Sequence, residues 1–94
     1  MQSNSGTITT GGSWQIVSSN VSRTWFDLQN ISDEVMYLFQ SYGNAAPPSA
    51  PFAGTIKIPA GALYETPEMG RTAGGVLHVY GATTGKAFTC REIL

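Results

Sequence analysis

His78 is the only histidine of the chain and Cys90 its only cysteine. Nucleophilic catalysis needs a nucleophile, a base and a group that orients the base, all within hydrogen-bonding reach. His78 lies between Leu77 and Val79 in an apolar run. That setting suits a strand histidine turned to solvent or held at an interface better than it suits a general base. Cys90 alternates with Phe88 and reads as a small core residue, not a reactive thiol. Acidic near-pairs occur at Asp33-Glu34 and at Glu65 with Glu68. A glycosidase sets two carboxylates across a cleft, whereas adjacent or strand-end acids usually form turns or stay solvated. Gly81-Ala82-Thr83-Thr84-Gly85-Lys86-Ala87 approaches a phosphate-binding loop, but its glycine spacing is one residue short and Ala87 has no hydroxyl for Mg²⁺. A turn between strands accounts for it. No cluster of Asp, Glu, His and Cys has ligand spacing. The expectation is therefore a chain with no catalytic residues, no metal and no cofactor.

Binding chemistry remains. Trp14, Trp25, Tyr42, Tyr64 and Tyr80 are aromatics that strands could present as a sugar platform or as a protein hot spot. In a chain this short most aromatics belong to the core. Trp25 is the preferred exception, because it alternates with Asp27 and Gln29. The segment Gly43–Ala53 carries Pro47, Pro48 and Pro51, which forbid regular pairing and favour extended geometry. The expected protein-contact residues are Trp14, Trp25, Tyr42, Pro47, Pro48 and Phe52.

Short strands must position these groups. Trp14–Ser18 follows a Gly-Gly pair. Arg23–Gln29 puts Thr24, Phe26 and Leu28 on one face and Trp25, Asp27 and Gln29 on the other, the period-2 signature of a strand. Asn30–Glu34 makes a turn from residues that bond their own backbone. Val35–Tyr42 has Val35, Tyr37 and Phe39 on one side and Met36 and Leu38 on the other. Both faces are partly apolar, as in a strand between two layers or one facing a neighbouring subunit. Further strands are predicted at Thr55–Ile58, Ala62–Thr66, Gly75–Tyr80 and Ala87–Ile93, with a long loop at Pro67–Gly75 and a hairpin turn at Ala82–Gly85. About seven short strands predict an all-β domain, an antiparallel sandwich or barrel of jelly-roll-like type. That domain spans residues 13–94. Residues 1–12, rich in Ser, Gly and Thr, read as a flexible arm with at most a short strand near Thr7–Thr10.

The totals narrow the partners. Ninety-four residues form one domain with a modest core. Small domains supplement such a core with disulfides, metals or oligomerisation, and a single cysteine without a metal cluster leaves oligomerisation. Five basic and six acidic residues give a net charge of −1. Lys57, Arg71, Lys86, Arg23 and Arg91 are scattered and form no basic stripe, so no nucleic-acid partner is expected. The polar first ten residues lack the apolar core of a signal peptide, and no apolar run reaches the ~20 residues of a membrane helix. The sequons at Asn20 and Asn30 are read as chance.

The run Arg23-Thr24-Trp25-Phe26-Asp27-Leu28-Gln29-Asn30-Ile31-Ser32-Asp33-Glu34-Val35-Met36-Tyr37-Leu38 fits R-x-x-φ-x-φ-Q-N-x-S-D-x-x-φ-Y-φ, with φ apolar. Downstream follow Ile56-Lys57-Ile58-Pro59-Ala60-Gly61-Ala62-Leu63-Tyr64-Glu65 and Gly74–Gly81 with a Thr-Gly turn. Over about Arg23 to Glu92 this arrangement resembles small virion structural proteins of tailed bacteriophages, some of them capsid decoration or cement proteins, others domains of head fibres and tails. The resemblance implies a non-enzymatic homo-oligomer, in several such proteins a trimer. Its partner would be the major capsid protein or another virion protein, and its place the virion, assembled in the host bacterial cytoplasm. The arm and the Gly43–Ala53 loop would touch the shell, and strand aromatics would hold the oligomer. A head-fibre or tail protein is one alternative. A carbohydrate-binding module built on Trp14, Trp25 or Tyr42 is another.

Overall fold

The computed structural model describes residues 2–19, 22–41, 45–50, 52–66 and 74–94. Their regular structure is entirely β, in nine strands: β1 (Gln2–Ser3), β2 (Gly6–Thr7), β3 (Ser13–Ser18), β4 (Trp25–Asn30), β5 (Met36–Ser41), β6 (Ile56–Ile58), β7 (Leu63–Glu65), β8 (Val76–Gly81) and β9 (Ala87–Ile93). One antiparallel sheet has the order β1-β9-β4-β7, with β2 also on β9. The second has the order β3-β8-β5-β6. The pairs nest: β1 and β2 with β9, β3 with β8, β4 with β7, β5 with β6. This is a hairpin of paired strands rolled into two layers, the jelly roll.

All seven strands predicted between residues 13 and 94 are present. Two expectations change. The Ala82–Gly85 turn does not close a hairpin. It is an arch that carries the chain from β8 in one sheet to β9 in the other. Gly85 there has φ +90, a conformation that glycine adopts without steric cost. Turn residues mark a reversal, but they do not say which sheet the next strand joins.

The second change concerns residues 2–12. Where the sequence suggests an arm, the structure has an edge strand in two pieces. Gln2 and Ser3 pair with Glu92 and Arg91, and Gly6 and Thr7 with Phe88 and Ala87. Ile8 then turns inward and is 1% exposed. Its amide donates to the Lys86 carbonyl and its carbonyl accepts from the Gly85 amide, both at 2.8 Å. Two glycines permit this approach. A Cβ on Gly81 would lie 2.7 Å from Ile8 Cγ1, and one on Gly11 would lie 2.5 Å from the Ala82 carbonyl oxygen.

Alternation fills the interior. Phe26, Leu28, Phe88 and Cys90 point inward from one sheet, and Met36, Leu38, Ile58, Leu77 and Val79 from the other, with Ile8 beside them. Cys90 is thus a core residue. Burial, followed by the charges of Glu92 and Asp27, pushes its thiol up to about 12, so it stays protonated and unreactive at neutral pH.

Polar groups close both ends. At one end Arg23 and Glu92 form a buried ion pair, Nε to Oε2 at 2.7 Å. Ser18 Oγ donates to Glu92 at 2.9 Å and Asn4 Nδ2 at 2.7 Å. Arg23 also donates to the carbonyl of Gly75 at 2.5 Å and to Ser18 Oγ at 2.8 Å. Burial raises the Glu92 carboxyl, but the hydrogen bonds from Arg23, Asn4 and Ser18 outweigh it and hold the carboxyl below its ordinary value. At the other end Asn30, fully buried, donates to the carbonyls of Glu34 and Ile58 at 2.6 and 2.9 Å. Its side-chain oxygen accepts from the Ser32 amide and hydroxyl. The Asn-x-Ser part of the sequence motif is therefore an Asx turn that plugs the sandwich.

If residues 2–12 belong to the core, Ile8→Ala should cost about 2–5 kcal/mol, as truncations of buried isoleucines do. Urea unfolding measures it. A loss near zero would show that this segment adds nothing to the fold.

Candidate interaction surface

The two outer faces differ in chemistry. On the β1-β9-β4-β7 sheet the outward residues of β4 are Trp25, Asp27 and Gln29, opposite Ile93, Arg91 and Thr89 of β9. Arg91 pairs with Asp27 at 2.5 Å and lies over the Trp25 ring, 5.8 Å from its centroid. Trp25 thus lies on the same face as Asp27 and Gln29, as its alternation predicts, but its ring is half-buried under an arginine. This face is mostly polar, with exposed Leu63 and Ile93 towards its margins.

The outer face of the second sheet is aromatic. Its strand register sets two rows across β3, β8, β5 and β6: Trp14, Tyr80, Tyr37 and Lys57 in one, Ile16, His78 and Phe39 in the other. The rings touch, with centroids 5.5 Å apart for Trp14 and Tyr80, 6.2 Å for Trp14 and Phe39, and 5.9 Å for Phe39 and His78. These are spacings at which aromatic pairs gain beyond simple burial.

A loop covers the first row. Phe52 lies with its ring 4.5 Å from Tyr37, 4.6 Å from Tyr80 and 5.8 Å from Trp14. Trp14 Nε1 donates to the Pro48 carbonyl at 2.9 Å, which ties the same loop to the edge strand. Phe52 has φ +65. For a residue with a side chain this is a strained conformation, costing roughly 1–2 kcal/mol. It is held by turns on both sides: the Phe52 amide donates to the Ser49 carbonyl, and the Thr55 hydroxyl donates to the Phe52 carbonyl at 2.7 Å. Trp14, Pro47, Pro48, Phe52 and Tyr80 line a shallow depression of about 210 Å³.

The structure therefore brings Trp14, Pro47, Pro48 and Phe52 together on one face. It places Trp25 on the opposite face, and Tyr42 lies outside the described residues. Tyr64 turns inward, 5.8 Å from Phe26. Tyr37, Phe39 and Ile16 belong to the aromatic face, yet alone none stands out in the sequence. The signal for Tyr37 and Phe39 is the two-sided apolar pattern of residues 35–39. The layer beyond that strand is the chain's own loop. In the second row Ile16 is 61% exposed, and His78 and Phe39 are half-buried.

The chemistry of the remaining candidates is plain. His78 packs against Phe39, burial holds its imidazole below its ordinary value, and among the described residues no carboxylate is hydrogen-bonded to it. Asp33 pairs with Lys86 at the surface, at 2.7 Å. Glu68 lies outside the described residues. Among the described residues no group of His, Cys, Asp and Glu is placed to hold a metal ion. Comparison of the chain with family models, with curated proteins and with solved structures finds no match.

The strained Phe52 gives a direct check on the loop. Phe52→Ala loses the ring and keeps the strain, whereas Phe52→Gly loses both. The glycine variant should be the more stable of the two by about 1–2 kcal/mol, read from urea midpoints. Equal stabilities would mean that the loop does not hold residue 52 in this conformation.

Proposed function

We propose that this chain is a non-enzymatic structural protein of a tailed-phage virion, a capsid decoration protein that binds and stiffens the major capsid shell. The observation that carries the reading is the aromatic outer face of the β3-β8-β5-β6 sheet, capped by an uncharged, proline-rich loop and exposed at Ile16 beside half-buried His78 and Phe39. Protein contacts are anchored by aromatic and aliphatic side chains of this kind. Residues 45–55 carry no charge, so docking them on another protein leaves no ion unpaired. The motif between Arg23 and Leu38 adds the likeness to phage structural proteins. Jelly rolls also build viral capsid and lectin domains, a fold-level analogy only.

In this reading the loop and the second aromatic row face the partner. Residues 2–12 serve the domain itself, since Gln2, Ser3, Gly6 and Thr7 pair with β9 and Ile8 enters the core. A sugar platform has less support. Stacking on a sugar needs a free ring face, and Phe52 stands against the rings of Tyr37 and Tyr80.

Quantitative mass spectrometry of purified particles of the source phage tests the assignment. A shell protein repeats with the shell's symmetry, so on the order of hundreds of copies per particle are expected. Roughly a dozen copies or fewer would move the protein to a tail or head fibre, and its absence from particles would overturn the virion reading.

A further inference from the structure

Each sheet of an open sandwich ends in strands that pair on one side only, and such edges invite pairing with other chains unless they are blunted. Three of the four edges here are blunted. β6 has three residues, carries Lys57 at its centre and runs into Pro59. β7 has three residues and ends on Glu65. The edge beyond β9 is broken into the two-residue pieces β1 and β2. β3 differs. It is six residues long, Ser-Trp-Gln-Ile-Val-Ser, with no charge, proline or glycine. Among the described residues it pairs with β8 alone, and Ile16 stands out from it, 61% exposed. Its one irregularity is a register shift between Ile16 and Ser18, which leaves Ser13–Ile16 regular. A shallow depression of about 330 Å³, lined by Thr9, Thr10, Ser13, Trp14 and Gln15, opens beside this half of the strand.

We propose that β3 is a pairing edge and that its occupant is β3 of a second copy of this chain, antiparallel about a twofold axis near Gln15 and Ile16. Self-pairing sets a strand against its own sequence, so any charge would meet its like nearby, which destabilises a sheet. β3 and the broken β1/β2 edge both lack charge, but only β3 offers an unbroken six-residue run, and the neutral loop that packs on Trp14 adds none. The two copies join into one eight-stranded sheet, β6-β5-β8-β3-β3-β8-β5-β6. The backbone groups of Ser13–Ile16 that face away from β8 gain partners, as in strand addition generally. Two Trp14 and two Ile16 side chains meet on the continuous aromatic face, a combination of aromatic and β-branched residues that favours cross-strand contact. A twofold contact uses the same patch on both copies and closes on itself. The pair is thus a finite dimer, in place of the trimer that the sequence resemblance implies.

The proposal rests on the edge and not on the capsid reading. A monomer found at high copy number on particles would overturn the pairing alone, and a dimer absent from particles would overturn the capsid reading alone. Sedimentation equilibrium should give the full chain twice its 10.0 kDa mass, and Ile16→Lys should sediment as a folded monomer. Ile16→Cys, treated with a short bis-maleimide linker, should join to itself as a dimer on a denaturing gel. Leu63→Cys, also exposed but on β7, and the wild-type chain with its buried Cys90 should not. The cysteine test holds even if the lysine variant misfolds. A monomeric wild type, a dimer or trimer unaffected by Ile16→Lys, or linkage through Leu63→Cys in place of Ile16→Cys would each overturn the pairing.

Discussion

The buried pair of Arg23 and Glu92 is the fastening on which the two-layer arrangement depends. A sandwich is open at its ends, where inward side chains would otherwise meet water. Here one end is shut by a carboxylate on β9 and a guanidinium just before β4, with Ser18 of β3, Asn4 of the first segment and the Gly75 carbonyl before β8 completing their hydrogen bonds. Five separate stretches of chain from both sheets thereby converge on two charges. Removing one partner of such a pair strands the other in the interior, at a cost of about 3–5 kcal/mol. That is a large share of the stability of a domain this size. Asn30 does the same work with neutral hydrogen bonds at the far end of β4.

With both ends shut by polar networks, aliphatic residues together with Phe26, Phe88 and Cys90 fill the interior of this short chain. The larger aromatics are then free to form a second cluster outside it. Tyr37, Phe39, Trp14, Tyr80 and Phe52 lie outside the sandwich proper, on the back of one sheet. The loop that covers part of this cluster keeps Phe52 in a strained backbone state. Packing against three rings offsets that strain. Exposed Ile16 with half-buried His78 and Phe39 makes up the rest of this outer face.

Much of the fold is legible in the sequence, because period-2 alternation survives wherever one strand face is buried. Phe26 and Leu28, Leu77 and Val79, Phe88 and Cys90 each announce an inward face, and Trp25 with Asp27 and Gln29 an outward one. The first segment is not legible in this way. Gln2–Thr7 joins the sheet through its backbone, with exposed side chains, so its composition looks like that of an arm. Only Ile8 hints otherwise. The Ala82–Gly85 arch is misread for a related reason, since a glycine turn reports local geometry and jelly-roll winding is a long-range property. Of the site residues, Pro47, Pro48 and Phe52 are recognisable as a loop apart, but its docking on Trp14 follows from strand order and register, which no local pattern encodes.

The central claim is that this domain acts by presenting a surface to another protein. Cosedimentation of the purified chain with empty capsid shells that lack it, taken from the phage proposed to carry it, tests the claim most directly. Saturable binding that fixes a constant ratio of this chain to capsid subunits is the expected result, with binding weakened by Phe39→Asp on the second aromatic row. A chain that stays in the supernatant at every concentration, or that binds equally well when the aromatic row is changed, would contradict the account.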